Sequence, residues 1–383
     1  MDDTAAAIVA TRRQHILDGT DVTQGRSLEI GPLATPILTR DMGDVRYVDV
    51  VDLAGLREHY GTDATVVTED IVEVDFWLTR EDGTVSTLAE AVAPDGPYHH
   101  VVASHVIEHV PDMVRWLQDV ADVLVDGGSL LLAVPDRRFC FDALRSPATV
   151  GQVLQAHHDG DRIPSVRAVY DYARTSVEFP TAAAWAGAWP PEQRTAPLDR
   201  ARTMVAQQQQ GLYVDCHVWP TSPVGLADLL ADLVELGLVD FGVERITATQ
   251  RGHHEFYGTL RRFHRGRDRH VQAAEAVAAL AGLRADLPDE DRTWPHQVRE
   301  AELLEQQQVL ERRLARAEAR LATATAARDR AREQRDRARR DRRRARARAR
   351  GLAALVEPQR TRPAVRLVGG VRRRLGRLRP GRG

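Results

Sequence analysis

Residues 103–136 read ASHVIEHVPDMVRWLQDVADVLVDGGSLLLAVPD, and the pattern of this stretch decides the fold. It begins where a short, β-branched apolar run, His99–Ala103, ends. Met113–Leu124 then sets apolar residues at helical spacing, Asp126-Gly127-Gly128 supplies a turn, and Ser129–Val134 is a second apolar run. A strand, a helix and another strand in that order make the repeating unit of a parallel sheet, whose neighbours need a crossover between them. Both runs are apolar at consecutive positions, as strands covered by helices on each face must be.

The same alternation extends in both directions. Candidate strands Ser27–Ile30, Val45–Val48 and Ile71–Val74 come before it; a helix at Pro223–Leu236 and strands at Val239–Thr247 and His254–Leu260 come after. Between the two parts, Pro135–Pro220 reads as an irregular insertion, with Trp185, Trp189 and Trp219, many prolines and the run Gln207–Gln210. Such an insertion falls at the carboxyl ends of the strands, where open α/β sheets bind ligands. The pattern predicts an α/β, Rossmann-like seven-stranded sheet with helices on both faces and an insertion after the fifth strand. Residues 1–265 form this domain, 135–220 its lid, and 266–297 a connector. In 298–338, Leu303, Leu310, Leu314, Ala317, Leu321 and Ala324 alternate at three and four residues, a coiled-coil seam that fades at Arg328. Arg328–Arg350 is charged residues and alanine, a solvated helix or an arm without order, and 339–383 is an arginine-rich tail.

Composition narrows the chemistry. All 53 basic residues are arginine, so a Walker A loop, a Schiff-base lysine and a kinase strand lysine are excluded. Cys140 and Cys216 form no CxxC pair and indicate neither a disulfide framework nor a thiolate metal site. No run reaches the roughly 18 apolar residues of a membrane span, and the opening MDDTAAAIVATRRQ lacks the order of a signal peptide. A cytoplasmic protein is the expectation. The net charge of −2 conceals an asymmetry: Arg339–Gly383 holds 17 arginines against Asp341 and Glu357, so an acidic body carries a basic tail.

An ordered series of acids marks the strand ends. Glu29 and Gly31 close the first strand, Asp49 follows twenty residues after Glu29, Asp75 comes after Val74, and Ser104-His105 follow the fourth run. An acid at the position of Asp49 is what ribose recognition requires, because a carboxylate accepts from both vicinal hydroxyls. These features, with the HVIEHVPD segment above all, resemble class I S-adenosylmethionine-dependent methyltransferases over most of Ser27–Leu260. The resemblance implies that sheet, with S-adenosylmethionine as cofactor. Glu29 and Gly31 would border its methionine end, Asp49 would hold the ribose, Asp75 the adenine, and Ser104 and His105 the sulfonium side. One departure stands out: Gly31 is followed by Pro32-Leu33-Ala34 where the family has a glycine-rich loop.

Methyl transfer needs an aligned acceptor and, for a hydroxyl, a base. His109 and His217 are the candidates, His217 with Asp215 nearby and Trp219 as an aromatic wall; Asp136 ranks below them, and Arg137 and Arg138 could bind an anionic acceptor. His105-Val106-Ile107-Glu108-His109 also spells the inverted zinc-peptidase motif, but Pro111 breaks the helix that motif needs, so no metal is expected. The expected acceptor is a small molecule or glycan methylated at oxygen. Two rivals stand against this: a non-catalytic scaffold with a coiled-coil arm, and an NAD(P)-dependent oxidoreductase, which the missing glycines and the absence of a Tyr-xxx-Lys pair disfavour. The tail, with apolar residues spaced through Pro363–Gly383, suits an anionic membrane surface. It lacks the aromatic residues that stack on bases, which disfavours nucleic acid. The coiled coil suits a homo-oligomer.

Overall fold

The computed structural model describes residues 3–63, 66–188, 197–288 and 295–355. The chain divides into two units, 1–305 and 306–383. In the first, helix α1 (Asp3–Leu17) leads into β1 (Arg26–Ile30), β2 (Asp44–Asp49), α2 (Leu53–His59), β3 (Phe76–Trp77), α3 (Leu88–Val92), β4 (Tyr98–Ser104), α4 (Met113–Val123) and β5 (Leu124–Pro135). The insertion carries α5 (Val150–Asp159), α6 (Val166–Thr175), α7 (Thr181–Trp185) and α8 (Leu198–Gln209). After it come α9 (Pro223–Glu235), β6 (Phe241–Ile246), β7 (Glu255–Arg262) and α10 (Arg269–Asp286).

The strands form one seven-stranded sheet in the order β3-β2-β1-β4-β5-β7-β6, parallel except that β7 runs antiparallel to both neighbours. Successive residues of the central strands serve opposite faces, as a strand's two-residue period dictates. Leu130, Leu132 and Val134 of β5 join one apolar cluster with Val114 and Leu117 of α4 and Leu226 and Leu230 of α9; Leu131 and Ala133 join another with Ile16, Leu38 and Tyr257. Helix α4 starts where the Asp112 side chain accepts from the Arg115 amide, and it buries Val114, Leu117, Val120 and Ala121 at spacings of three and four. The chain leaves β1 toward β2 on one side and later returns to build β4 and β5 on the other. The crevice at the carboxyl ends of β1 and β4 is therefore the switch point where such sheets bind ligands.

The structure corrects the sequence reading in three places. The third strand is Phe76–Trp77, not Ile71–Val74; Ile71 and Val74 are buried in the second apolar cluster and pair with no strand. Their apolar character reports packing, which periodicity alone cannot tell from pairing. Asp126-Gly127-Gly128 does not separate helix from strand: β5 runs through it as a bulge, with Gly127 at φ +72°, between the pairs Tyr98–Leu124 and His100–Ser129. The insertion is helical rather than irregular. Its first two helices carry side-chain caps from Thr149 and Ser165, and alanines (Ala156, Ala168, Ala173) supply much of their buried face.

Residues 266–297 include α10, which buries Ala273, Ala276 and Leu280 in the first apolar cluster beside α9 residues. Helix α11 (Pro295–Leu355) is continuous through Arg328–Arg350, and the seam residues Leu303, Leu310, Leu314 and Leu321 are exposed on it. Pro363–Gly383 lies outside the described residues, as does Trp189. No described helix is long and apolar enough to cross a membrane.

Candidate functional site

At the end of β1 the chain turns through Gly31 at φ +67°, a left-handed conformation that suits glycine. Leu33 adopts a positive φ as well, 46°, and the loop that follows is tied down by Glu29. The two carboxylate oxygens of Glu29 accept from the amides of Ile37 (2.8 Å) and Leu38 (2.7 Å). Glu29 is therefore buried beneath the loop and braces it. Burial pushes its pKa up to about 7, against the pull of those two amides. A group raised in the folded state stabilises below its unfolded value, and that contribution is lost as pH rises through the folded one. Relative to a Glu29→Gln variant, the wild type should lose about 2–4 kcal/mol between pH 4.5 and 7.5, measured as urea midpoints. Parallel pH profiles for the two proteins would refute this.

Asp49 terminates β2 beside this turn, since Gly31 N–H donates to Val48 O (2.9 Å). Its Oδ1 accepts from the Val50 amide (2.7 Å), and it pairs with no cation among the described residues. Burial raises its pKa to about 6. Asp75, expected after the third strand to receive an adenine, instead precedes β3. Its Oδ2 accepts from the Tyr47 amide (2.7 Å) and meets Arg40 Nη2 at 2.8 Å. Asp75 is thus spent on tying β2 to the Arg40 turn.

At the end of β4, Ser104 Oγ accepts from Arg12 Nη2 (2.5 Å), and Arg12 Nε lies 2.7 Å from Glu255 Oε1. His105 has a positive φ of 57°, and its Nε2 donates to Glu255 Oε2 at 2.7 Å. Burial opposes the charge on Glu255, yet hydrogen bonds from His105 and Arg12 hold it well below the ordinary carboxylate range. Arg12 and Glu255 come from opposite ends of the domain, so no local signal in the sequence marked them.

The five residues from His105 to His109 form a turn, not a helix. The 214–219 segment docks on that turn: the amide of Val218 donates to Glu108 O (2.6 Å), and Trp219 Nε1 donates to Val110 O (2.7 Å). This brings His109 and His217 together, with ring centroids 4.7 Å apart and planes at 86°. His109 Nδ1 donates to Asp215 Oδ1 (2.8 Å), and His217 Nδ1 donates to Asp142 Oδ2 (2.5 Å). The sequence reading paired Asp215 with His217; the structure gives it to His109 and supplies Asp142, 75 residues away, for His217. Desolvation opposes a charge on His109, but Asp215 outweighs it and raises the imidazole pKa. Asp142 is itself held by Arg145 Nη1 at 2.8 Å, with both side chains buried.

The other candidates are engaged elsewhere. Asp136 is fully buried, capping the turn after β5 and binding Arg138 (Nη2–Oδ2 2.6 Å) and Thr249 (2.6 Å). Arg137 is buried with Nη1 on Arg145 O (3.1 Å). Neither arginine faces solvent as an anion receptor would.

Residues 22–189 match a family model described as a methyltransferase domain. That match covers the strands β1–β5, and the sheet order with its single antiparallel strand completes the topology. Over these residues the chain is similar to a methyltransferase domain. No curated protein matches the sequence. Similar solved structures include an S-adenosylmethionine-dependent methyltransferase from Mesorhizobium loti (14% identity, 66% of this chain and 96% of that one, TM-score 0.32). Others are the PH0226 protein from Pyrococcus horikoshii OT3 (14%, 68% and 92%, 0.36) and DhpI in complex with SAH (16%, 68% and 86%, 0.32).

Of the residues assigned to the cofactor, Asp49 and Gly31 lie side by side where β2 and β1 end. A carboxylate with an unpaired oxygen at the end of β2, beside a turn without a side chain, is what a ribose edge needs.

Proposed function

We propose that this methyltransferase domain acts on a hydroxyl group of a small-molecule or glycan acceptor. The observation that carries the reading is the pair His109–His217, each imidazole backed by a carboxylate through Nδ1, beside the end of β4. Such backing fixes the tautomer and leaves each Nε2 as an acceptor. A hydroxyl placed there is hydrogen-bonded and relieved of its proton, the assistance that an oxygen nucleophile needs and a thiolate or an enolate does not. When bound, S-adenosylmethionine supplies a methyl group on a positively charged sulfur. Asp49 would accept from the ribose hydroxyls, Gly31 would let the backbone approach, and Ser104 and His105, held by Arg12 and Glu255, would line the sulfonium side. Calorimetric titration with S-adenosylmethionine is expected to show one site per chain. A folded protein that gives no heat of binding would leave only the scaffold reading.

The arginine-rich tail extends the proposal to a peripheral position on an anionic membrane surface, inside the cell, with the exposed α11 leucines pairing two copies. Removing Arg339–Gly383 should abolish co-sedimentation with vesicles containing phosphatidylglycerol while methyl transfer to a soluble acceptor continues. Continued pelleting of the truncated chain would refute the tail's role.

A further inference from the structure

Glu108 is 1% exposed, and neither oxygen of its carboxylate has a hydrogen-bond partner among the described residues. A buried anion left in this way is costly, and such groups are ordinarily paired or bound to a metal. Its neighbours are imidazoles held just out of hydrogen-bond reach: His109 Nε2 at 3.9 Å and His105 Nδ1 at 3.8 Å. One ligand atom from each of Glu108, His109 and His217 lies within 4.8 Å of the other two.

The second layer is equally specific. His109 and His217 both give Nδ1 to a carboxylate, Asp215 and Asp142 respectively, which leaves Nε2 of each with its lone pair free to coordinate. Proteins orient metal-binding imidazoles in this way. Asp142 is in turn fixed by Arg145. Glu108, Asp142 and Asp215 thus place three carboxylates around the two imidazoles, with Arg145 on Asp142.

We propose that Glu108, His109 and His217 bind a divalent transition-metal ion. Two imidazoles and one carboxylate suit Zn²⁺, Mn²⁺, Fe²⁺ or Co²⁺ better than Mg²⁺ or Ca²⁺, which prefer all-oxygen shells. Bonds of about 2.1 Å set ligand atoms roughly 3–3.5 Å apart, so binding draws the three side chains inward. Three protein ligands leave a position open to an outside oxygen, toward the side of His109, whose side chain is 29% exposed. In the sequence, Pro111 argued against a metal because it breaks the helix that the HxxEH motif needs. The third ligand, His217, comes from the far end of the insertion.

The ion site stands independently of the methyl-transfer reading; only its use rests on that reading. There, the ion replaces the two imidazoles in the role of activating the hydroxyl: with both Nε2 lone pairs on the metal, the open position takes the acceptor oxygen, whose proton is more easily lost on the ion. That proton passes to water, the oxygen–methyl bond forms, and the sulfur keeps the electrons of the carbon–sulfur bond.

The untagged full chain, stripped with EDTA and dialysed, is titrated calorimetrically with Zn²⁺, Mn²⁺ and Mg²⁺ in turn. The expected result is one equivalent of Zn²⁺ or Mn²⁺, with Mg²⁺ at least tenfold weaker. Affinity should fall at least tenfold in Glu108→Gln and in His109→Ala. Visible absorption of the Co²⁺-loaded wild type gives a reading that needs no variant to fold. No uptake of Zn²⁺ or Mn²⁺ and no Co²⁺ bands would overturn the site, as would wild-type affinity in the folded variants. S-adenosylmethionine is titrated alongside. A chain that takes the cofactor but no metal loses only the ion site; one that takes metal but no cofactor loses only the methyl-transfer reading.

Discussion

Alanine in place of Asp142 should lower the stability of the fold by about 3–5 kcal/mol, because it leaves a buried arginine without its counter-charge. Asp142 is 1% exposed and the Arg145 side chain 2%. The same substitution takes the Nδ1 acceptor from His217, which is also buried. Asp215 plays the matching part for His109, yet its side chain is 51% exposed. Water can replace it, so Asp215→Ala should cost no more than about 1 kcal/mol. The two aspartates thus do one job at two depths, and depth alone separates the expected losses. Urea midpoints for both variants at pH 7.5 make the comparison. Equal losses would show that burial does not govern this network. Replacing both members of the buried pair, Asp142→Leu with Arg145→Met, should recover part of the loss, since the remaining charge goes too.

The contrast between these aspartates also shows what the sequence could and could not disclose. The central strands were legible because β4 and β5 are buried on both faces, which writes an unbroken apolar run into the chain. Helix α4 was legible because its cap and its spacing agree. An edge strand of two residues, Phe76–Trp77, leaves no such trace, while Ile71 and Val74 imitate a strand by packing under one. Charge misled in the same way. Arg137 and Arg138 look like solvent-facing cations directly after a strand, but each is buried, Arg137 on the Arg145 carbonyl and Arg138 on Asp136 two residues before it.

At the site, residues that touch through local turns were readable: Gly31, Asp49 and the 104–109 segment. Partners closed by long loops were not. Asp142 meets His217 across the insertion, and Arg12 meets Glu255 across nearly the whole domain. Asp75 shows the reverse error. Its spacing suited an adenine, but a strand beginning one residue later turns its carboxylate toward Arg40. Spacing identifies a carboxylate at a strand end, and only geometry tells whether that carboxylate is still available.

On the proposed reading, Asp49 is the position where a substitution should affect cofactor binding most. Two hydrogen bonds from ribose hydroxyls to an ionised acceptor contribute about 1.5–3 kcal/mol, so Asp49→Ala should weaken S-adenosylmethionine binding by more than tenfold with the fold intact. Burial raises its pKa to about 6, so a role in binding should show in the pH dependence of the affinity. The ionised form is the one that accepts both hydroxyls, so binding below pH 6 must release a proton. Wild-type affinity should therefore rise with pH through 6 and level off above about 7, falling by about tenfold from pH 7.5 to pH 5. Asp49→Asn holds no such proton and should bind weakly with no slope over that range. Calorimetry at four pH values, in two buffers of different ionisation heat, measures both the affinity and the proton released. A slope that survives in Asp49→Asn would assign the titration to another group and remove Asp49 from the ribose.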